Sequence, residues 1–306
     1  MGENEKTKVK VSVLIPVRNS TKALERCLTS ILDQSYNDYN IQVIDVFSTN
    51  DTKKIVNEFQ IRSSKIINLY EEYPSKAAAL NRGIMESEAD IIMMTDSNCE
   101  VPREWISEMI KPLTSGDVIV QGGEKIASDG FWQRMQQRSN ERLIAESSDG
   151  YYVENINTNN IAFMRSVLLD VGLFNRHVRT LENYDMKLRL KKFGHKIYHL
   201  ENVRVLSHKE DNLLKFFHKK MKMGKWIYFL YYMNRGRITK EDEEMFKSLK
   251  ISFFLLFFPR TLMLLFSKGI SAFIFELFSG TAFRFGIMIG YMKRGRFLSS
   301  IQANYD

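Results

Sequence analysis

Asp96 and Asn98 stand two residues apart after the apolar run IIMMT. The bent end of a strand could aim both side chains at one hard cation, and Mg2+ or Mn2+, which take oxygen ligands and bridge phosphate oxygens, would suit them. Asn98 offers a neutral amide oxygen instead of a carboxylate, so the site is expected to bind metal more weakly than a pair of aspartates. Without a ligand, the same residues read as a capping pair before the helix that follows Pro102. Two other polar groups, Pro16-Val17-Arg18-Asn19 and Asp45 with Ser48 and Thr49, also end apolar runs. Each group alone fits an ordinary strand-to-helix cap; three together predict a ligand site.

The elements that must position these residues alternate. Strands are expected at Lys10–Val17, Ile41–Val46, Lys65–Leu69 and Ile91–Thr95, and helices at Thr21–Gln34, Thr52–Gln60 and Ser75–Ser87. Strands separated by helices of this length imply parallel pairing with right-handed crossovers, and ligands then sit beyond the carboxyl ends of the strands. Further on, helices are expected at Trp105–Pro112, Phe131–Ser147, Arg165–Val171 and Lys187–Phe193. Strands are expected at Val118–Gly122, after the polar cluster NINTNN up to Met164, and at Lys196–Leu206, the last alternating like an exposed strand. No G-x-G-x-x-G follows the first strand and no G-x-x-x-x-G-K-[ST] occurs, which argues against a dehydrogenase and an ATPase.

The chain has 306 residues, 44% of them hydrophobic and 26% charged, which excludes disorder as its main state. Its 44 Lys and Arg against 36 Asp and Glu give a net charge of +8 and imply an anionic partner. Two cysteines, Cys27 and Cys99, rule out a disulfide scaffold and a four-thiolate zinc site. The start MGENEKTKVK has no signal-peptide pattern, so the catalytic part is expected in the cytosol.

Four segments, VSVLIPVRNSTKALERCLTSILDQSY, IQVIDVFSTNDT, SKAAALNRGI and ADIIMMTDSNCEVPREWI, resemble in order and spacing the nucleotide-sugar half of the family 2 inverting glycosyltransferases with the GT-A fold. NTNNIAFMRSVLLDVGLFN resembles the acceptor-side segment of that family, LENYDMKLRLKKFGHKI its Glu-Asp-x-Asp-Leu helix, and VRVLSH its strand ending in histidine. The resemblance implies a mixed, mostly parallel sheet with helices on both faces. The catalytic domain would span 1–210, divided into a nucleotide-sugar half at 9–115 and an acceptor half at 116–210, with a membrane-associating helical region at 211–306.

Carried over by position, Pro16, Arg18 and Asn19 would border the nucleoside, and Asp45 would hydrogen-bond the base, commonly uracil. Lys76 and Asn81 would line the diphosphate or sugar, where a lysine neutralises leaving-group charge. Asp96 and Asn98 occupy the metal motif, usually Asp-x-Asp, and His208 matches a histidine that completes the metal shell in part of the family. Three departures stand out: Asp45-Val46 for two aspartates, Asn98 for aspartate, and Glu182-Asn183 for the Glu-Asp pair whose aspartate is the base. An amide accepts no proton, so either Glu182 or Asp185 takes over, the acceptor is already ionised, or the chain is a catalytically silent binding or scaffold subunit. A polyprenyl phosphate acceptor would need little general base. The resemblance thus implies transfer of a sugar from a nucleoside-diphosphate donor, UDP-linked by expectation, to a lipid-linked or glycan acceptor.

The C-terminal third differs in character. Lys215, Lys219, Lys220, Lys222 and Lys225 sit among Phe216, Phe217, Trp226, Tyr228, Phe229, Tyr231 and Tyr232, the mixture found at an anionic headgroup layer. The aromatics form one apolar block with no RNA-binding motif, so nucleic acid is not expected as a partner. The stretch 249–267 carries Lys250, Pro259 and Arg260, and 270–292 carries Glu276 and Arg284. A charge at mid-bilayer costs about 2.5–3.5 kcal/mol, so helices lying in the interface are favoured over a spanning hairpin. Peripheral or monotopic attachment to the cytoplasmic face of the cell membrane is expected, and the same helices offer a surface for self-association.

Overall fold

The computed structural model describes residues 10–127, 130–146, 152–209, 212–233, 262, 269–293 and 295; apart from Leu262, the apolar stretch 249–267 lies outside them. The chain divides into two units. The first comprises Met1–Ser128, Asn140–Arg176 and Glu182–Lys209; the second comprises Asp129–Ser139, His177–Leu181 and Glu210–Asp306.

The first unit holds a sheet of nine strands among the described residues: β1 (Val11–Val17), β2 (Tyr39–Asp45), β3 (Ile66–Tyr70), β4 (Ile91–Met94), β5 (Cys99–Glu100), β6 (Ile119–Ile126), β7 (Tyr152–Val153), β8 (Ile161–Met164) and β9 (Ile197–Ser207). Their order is β3-β2-β1-β4-β8-β6-β9-β5, with β7 paired to β9. The N-terminal ladders β3-β2, β2-β1 and β1-β4 are all parallel, as strand-helix alternation requires. β8 then enters antiparallel between β4 and β6, while β6 and β9 pair in parallel.

The apolar side chains of β1 explain the layering, because alternate residues point to opposite faces. Val11, Val13, Ile15 and Val17 join α1 (Lys22–Leu32), α2 (Thr52–Arg62) and α4 (Trp105–Thr114) through Leu28, Ile31, Phe59 and Trp105. Leu14 faces the other way, onto α3 (Lys76–Glu86), α6 (Arg165–Asp170) and α7 (Glu182–Lys192), through Leu80, Ile84, Leu168 and Met186. The small residues of α3 let it approach β1 closely: a methyl placed on Gly83 would lie 2.8 Å from Leu14 Cδ2. That approach fixes Lys76 at the head of α3.

β9 alternates as expected, with Val203, Val205 and Ser207 buried and Glu201, Asn202 and Arg204 exposed, and it lies between β6 and β5. One sequence expectation needs correction here. The last helix of this unit begins at Glu182 instead of Lys187, because its first turn is stabilised by acidic residues at the positive end of the helix, Glu182 and Asp185, and shows no apolar period.

The second unit contains the start of α5 (Phe131–Glu146), α8 (Leu213–Met233) and α9 (Ile270–Met292). Trp132 draws the start of α5 into it by packing on Phe216, Phe275 and Phe278, with ring centres 5.7, 6.1 and 5.6 Å away. Contacts advance together along α8 and α9, so the two helices run parallel. Phe216 meets Phe275 with ring centres 5.4 Å apart, and Tyr228 meets Tyr291 at 6.0 Å. Glycines make the approach close: a methyl on Gly224 would lie 1.8 Å from the Phe283 carbonyl oxygen, and one on Gly286 1.9 Å from that of Met221.

Candidate active site

The loops after β1 and β2 are locked together. The Asn19 N–H donates to Ser48 Oγ (2.9 Å), the Thr49 N–H to Asn19 Oδ1 (2.8 Å), and the Ser20 N–H to Thr52 Oγ1 (3.1 Å). Asp45 is buried and accepts the Ser48 N–H at 3.0 Å. Pro16 is half-buried, whereas Arg18 and Asn19 are exposed at the rim of these loops. Sequence reasoning missed an aromatic pair beside Asp45. Tyr70 is the register partner of Asp45, and Phe47, at φ 54°, meets the Tyr70 ring edge-on at 5.5 Å. An exposed aromatic after a strand carries no periodic signal that would single it out.

Lys76 opens α3 behind the N-cap Ser75, whose Oγ accepts the Ala78 N–H at 3.1 Å. The Lys76 ammonium forms an ion pair with the Asp96 carboxylate at the end of β4. Burial alone would lower the Lys76 pKa, but Asp96 and Glu182 outweigh it and hold the ammonium above its usual range. Lys76 therefore lies in the field of one carboxylate after β4 and of another at the start of α7.

Three predicted residues are engaged in bonds within this unit. Asn81 Nδ2 donates to the Phe174 carbonyl (2.7 Å) and its Oδ1 accepts the Phe174 N–H (2.8 Å), a clamp between α3 and the segment after α6. Asp185 is buried and accepts from Arg189 Nε (3.1 Å) and Nη2 (2.8 Å), while Arg189 Nη1 donates to the Val171 carbonyl (2.7 Å). A buried carboxylate held in this way braces α7. Asn183 Nδ2 reaches the Ile156 carbonyl at 3.4 Å, and its Oδ1 is buried without a partner among the described residues.

His208 is brought to Asn98 by two bonds: its N–H donates to the Asn98 carbonyl (2.9 Å), and Asn98 Nδ2 donates to the His208 carbonyl (3.1 Å). The Nε2 of His208 pairs with Glu100, a partner that sequence reasoning did not name. A neutral imidazole that gives Nε2–H to a carboxylate carries its lone pair on Nδ1, the arrangement found behind many metal-bound histidines. The donor types of Asp96, Asn98 and His208 fit one divalent ion. The anionic member, Asp96, is held by Lys76, and no cluster of three His, Cys, Asp or Glu close enough to hold a metal occurs among the described residues. Neither thiol joins them. Burial, then Asp96 and Glu124, push Cys99 up to about 12, and burial raises Cys27 as well.

The polar cluster at 155–160 also has a structural role. Asn160 accepts the Trp105 Nε1–H at 2.7 Å and donates from Nδ2 to the Gly123 and Val203 carbonyls, both at 2.8 Å. Asn159 donates to buried Glu124 at 2.7 Å, and Lys209 pairs with the same carboxylate at 2.6 Å. Together they tie the ends of β6, β8 and β9 beside the site.

Comparison with known proteins bears on the family and the fold. Residues 12–172 match the family described as glycosyl transferase family 2. Glycosyltransferase AglE of Haloferax volcanii is 26% identical over 172 residues, covering 55% of this chain and 57% of AglE. The amylovoran biosynthesis glycosyltransferase AmsB of Erwinia amylovora is 24% identical over 61% of this chain and 66% of its own length. A GalNAc(5)-diNAcBac-PP-undecaprenol beta-1,3-glucosyltransferase of Campylobacter jejuni is 27% identical over 40% of each chain. Matches to these curated relatives thus span about half their length. Among solved structures, the mannosyltransferase PcManGT of Pyrobaculum calidifontis, in complex with GDP-Man and Mn2+, superposes with a TM-score of 0.67 at 16% identity, over 94% of this chain and 87% of that one. S. aureus TarS 1-349 with UDP-GlcNAc gives 0.54 at 14% identity, over 71% and 66%. The likeness in fold confirms the expected GT-A architecture, and the family match spans more than half of the sequence: the chain belongs to glycosyl transferase family 2.

Proposed function

We propose that the protein transfers a sugar from a nucleoside-diphosphate donor to a lipid-linked or glycan acceptor, with inversion at the anomeric carbon. The observation that carries this reading is the Lys76–Asp96 ion pair beyond the carboxyl ends of a parallel half-sheet, with Lys76 coupled electrostatically to Glu182. The donor's nucleoside lies over the interlocked loops after β1 and β2, bordered by Pro16, Arg18 and Asn19, with Asp45 accepting from the base, uracil in the first instance. Lys76 turns from Asp96 toward the diphosphate and neutralises the charge that develops on it. Glu182 takes the proton of the acceptor hydroxyl. The acceptor oxygen bonds to the anomeric carbon as the bond to the phosphate oxygen breaks, and the diphosphate leaves with the electron pair. A divalent ion, Mn2+ or Mg2+, would be held by Asp96 with Asn98 and His208, and when bound supplies further positive charge to the phosphates. The rival reading, a silent subunit, rests on Asn98 and Asn183; the charge coupling of Glu182 to Lys76 favours catalysis.

Residues 1–210 would form the catalytic domain and 211–306 the region that holds it on the cytoplasmic face of the membrane. α9 is long and apolar enough to cross a bilayer, about 34 Å at the usual helical rise. The parallel register supports a different placement. It sets the lysine-bearing half of α8 beside the centre of α9, so burying α9 across the membrane would bury those lysines with it. Both helices then lie in the interface. Calorimetry with UDP and GDP, with and without Mn2+, followed by assays of donor hydrolysis, tests the enzyme reading; absence of binding to either nucleotide would sink it. Failure of the full chain to sediment with anionic liposomes would refute the membrane assignment.

A further inference from the structure

A second concentration of positive charge lies in the C-terminal unit. Lys222 and Lys225 are three apart on α8 and so share a face. A methyl on Gly290 would lie 2.9 Å from the Lys225 carbonyl oxygen, which sets the end of α9 against this part of α8. Lys293 follows one turn later, its N–H closing the helix onto the Ile289 carbonyl at 3.0 Å. Arg179, in the segment His177–Leu181 of the same unit, acts on Lys225 as a like charge and precedes Glu182 by three residues in the chain.

The electrostatics are one-sided. Burial lowers the pKa of Lys225, and the like charges of Lys293, Arg179 and Lys222 lower it further, with no carboxylate opposing them. Lys220 on the same helix is different, since Glu276 partly offsets its burial. None of the four cations makes an ion pair among the described residues, and Arg179, Lys222 and Lys293 are exposed. The negative end of the α9 dipole accounts for Lys293 alone. Four converging cations repel one another in the free protein and suit a multivalent anion. Beside them, α9 exposes Phe285, Met288 and Met292, which are 51%, 37% and 73% accessible and spaced three and four apart on one face. A ligand for this surface carries a concentrated negative head and an apolar tail.

We propose that Arg179, Lys222, Lys225 and Lys293 bind the phosphate or diphosphate head of a long-chain lipid, and that this lipid carries the acceptor. The second clause rests on the transferase reading above; the binding site does not.

The test uses the full chain and neutral phosphatidylcholine vesicles doped with either a polyprenyl phosphate or phosphatidylglycerol at matched surface charge. The wild type should prefer the polyprenyl phosphate, and inorganic pyrophosphate should compete. K225Q/K293Q should bind the polyprenyl phosphate at least about tenfold more weakly, the loss of one charge-assisted phosphate contact, while phosphatidylglycerol binding changes little. K225R/K293R should restore the preference, which separates lost charge from lost folding. Equal losses on both lipids, or no preference in the wild type, would overturn the site and leave only a diffuse basic surface. UDP binding measured on the same preparations reports separately on the transferase reading.

Discussion

Replacing Lys76 by glutamine removes an ammonium coupled to both Asp96 and Glu182. Its cost to stability should be small. The Lys76 and Asp96 side chains are 30% and 36% exposed, so solvent screens the pair and its worth is about 0–1 kcal/mol. The Lys76 pKa is raised in the folded state, so the stability it contributes is fully present below the unfolded value and is lost only as pH rises through the folded one. Between pH 6 and 9, well below about 10.4, the melting temperature of K76Q should therefore follow that of the wild type. The cost to catalysis should be much larger. A preorganised group that stabilises departing charge is worth about 2.7–4 kcal/mol, roughly a hundredfold to a thousandfold in kcat. Steady-state kinetics of donor turnover measure that loss. The same variant should bind Mn2+ more tightly without nucleotide, because the ammonium no longer competes for Asp96. A K76Q enzyme with kcat within about threefold of the wild type would refute the leaving-group role. Unchanged Mn2+ affinity would refute the competition.

Three further outcomes follow from the same contacts. D185N should lower stability by about 3 kcal/mol, because it strips a buried carboxylate from Arg189; denaturant unfolding measures this, and UDP binding should survive in the folded fraction. G286A forces a methyl toward a carbonyl oxygen 1.9 Å away and should cost about 1–3 kcal/mol in the C-terminal unit, read as weaker liposome sedimentation with donor binding unchanged. N183D should not raise turnover beyond about threefold, since Glu182 already serves as base; a large gain in donor turnover would favour the silent-subunit reading.

Much of this architecture was legible in the chain. Apolar runs and three-and-four spacings located each long strand and helix of the N-terminal half, because parallel strands buried on both faces read as continuous apolar segments. The two-residue strands β5 and β7 were not legible, since two residues carry no period. Type and position identified Lys76, Asp96, Asn98 and His208 as candidates, and the structure pairs Lys76 with Asp96 and Asn98 with His208. Sequence could not show that Asp185 and Asn81 are spent on structural bonds, because their partners Arg189 and Phe174 are ordinary residues that only folding makes neighbours. The role of Glu100 was hidden for the same reason: its bond to His208 spans 108 residues.

The most direct test of the central claim is single-turnover release of nucleoside diphosphate from UDP- and GDP-sugars by the wild type and by E182Q, with donor affinity measured in parallel. Both proteins should bind donor equally, the wild type should release the diphosphate faster with acceptor present, and E182Q should lose about a hundredfold or more of that acceleration. Equal rates in the two proteins, or donor bound but never cleaved by the wild type, would contradict it.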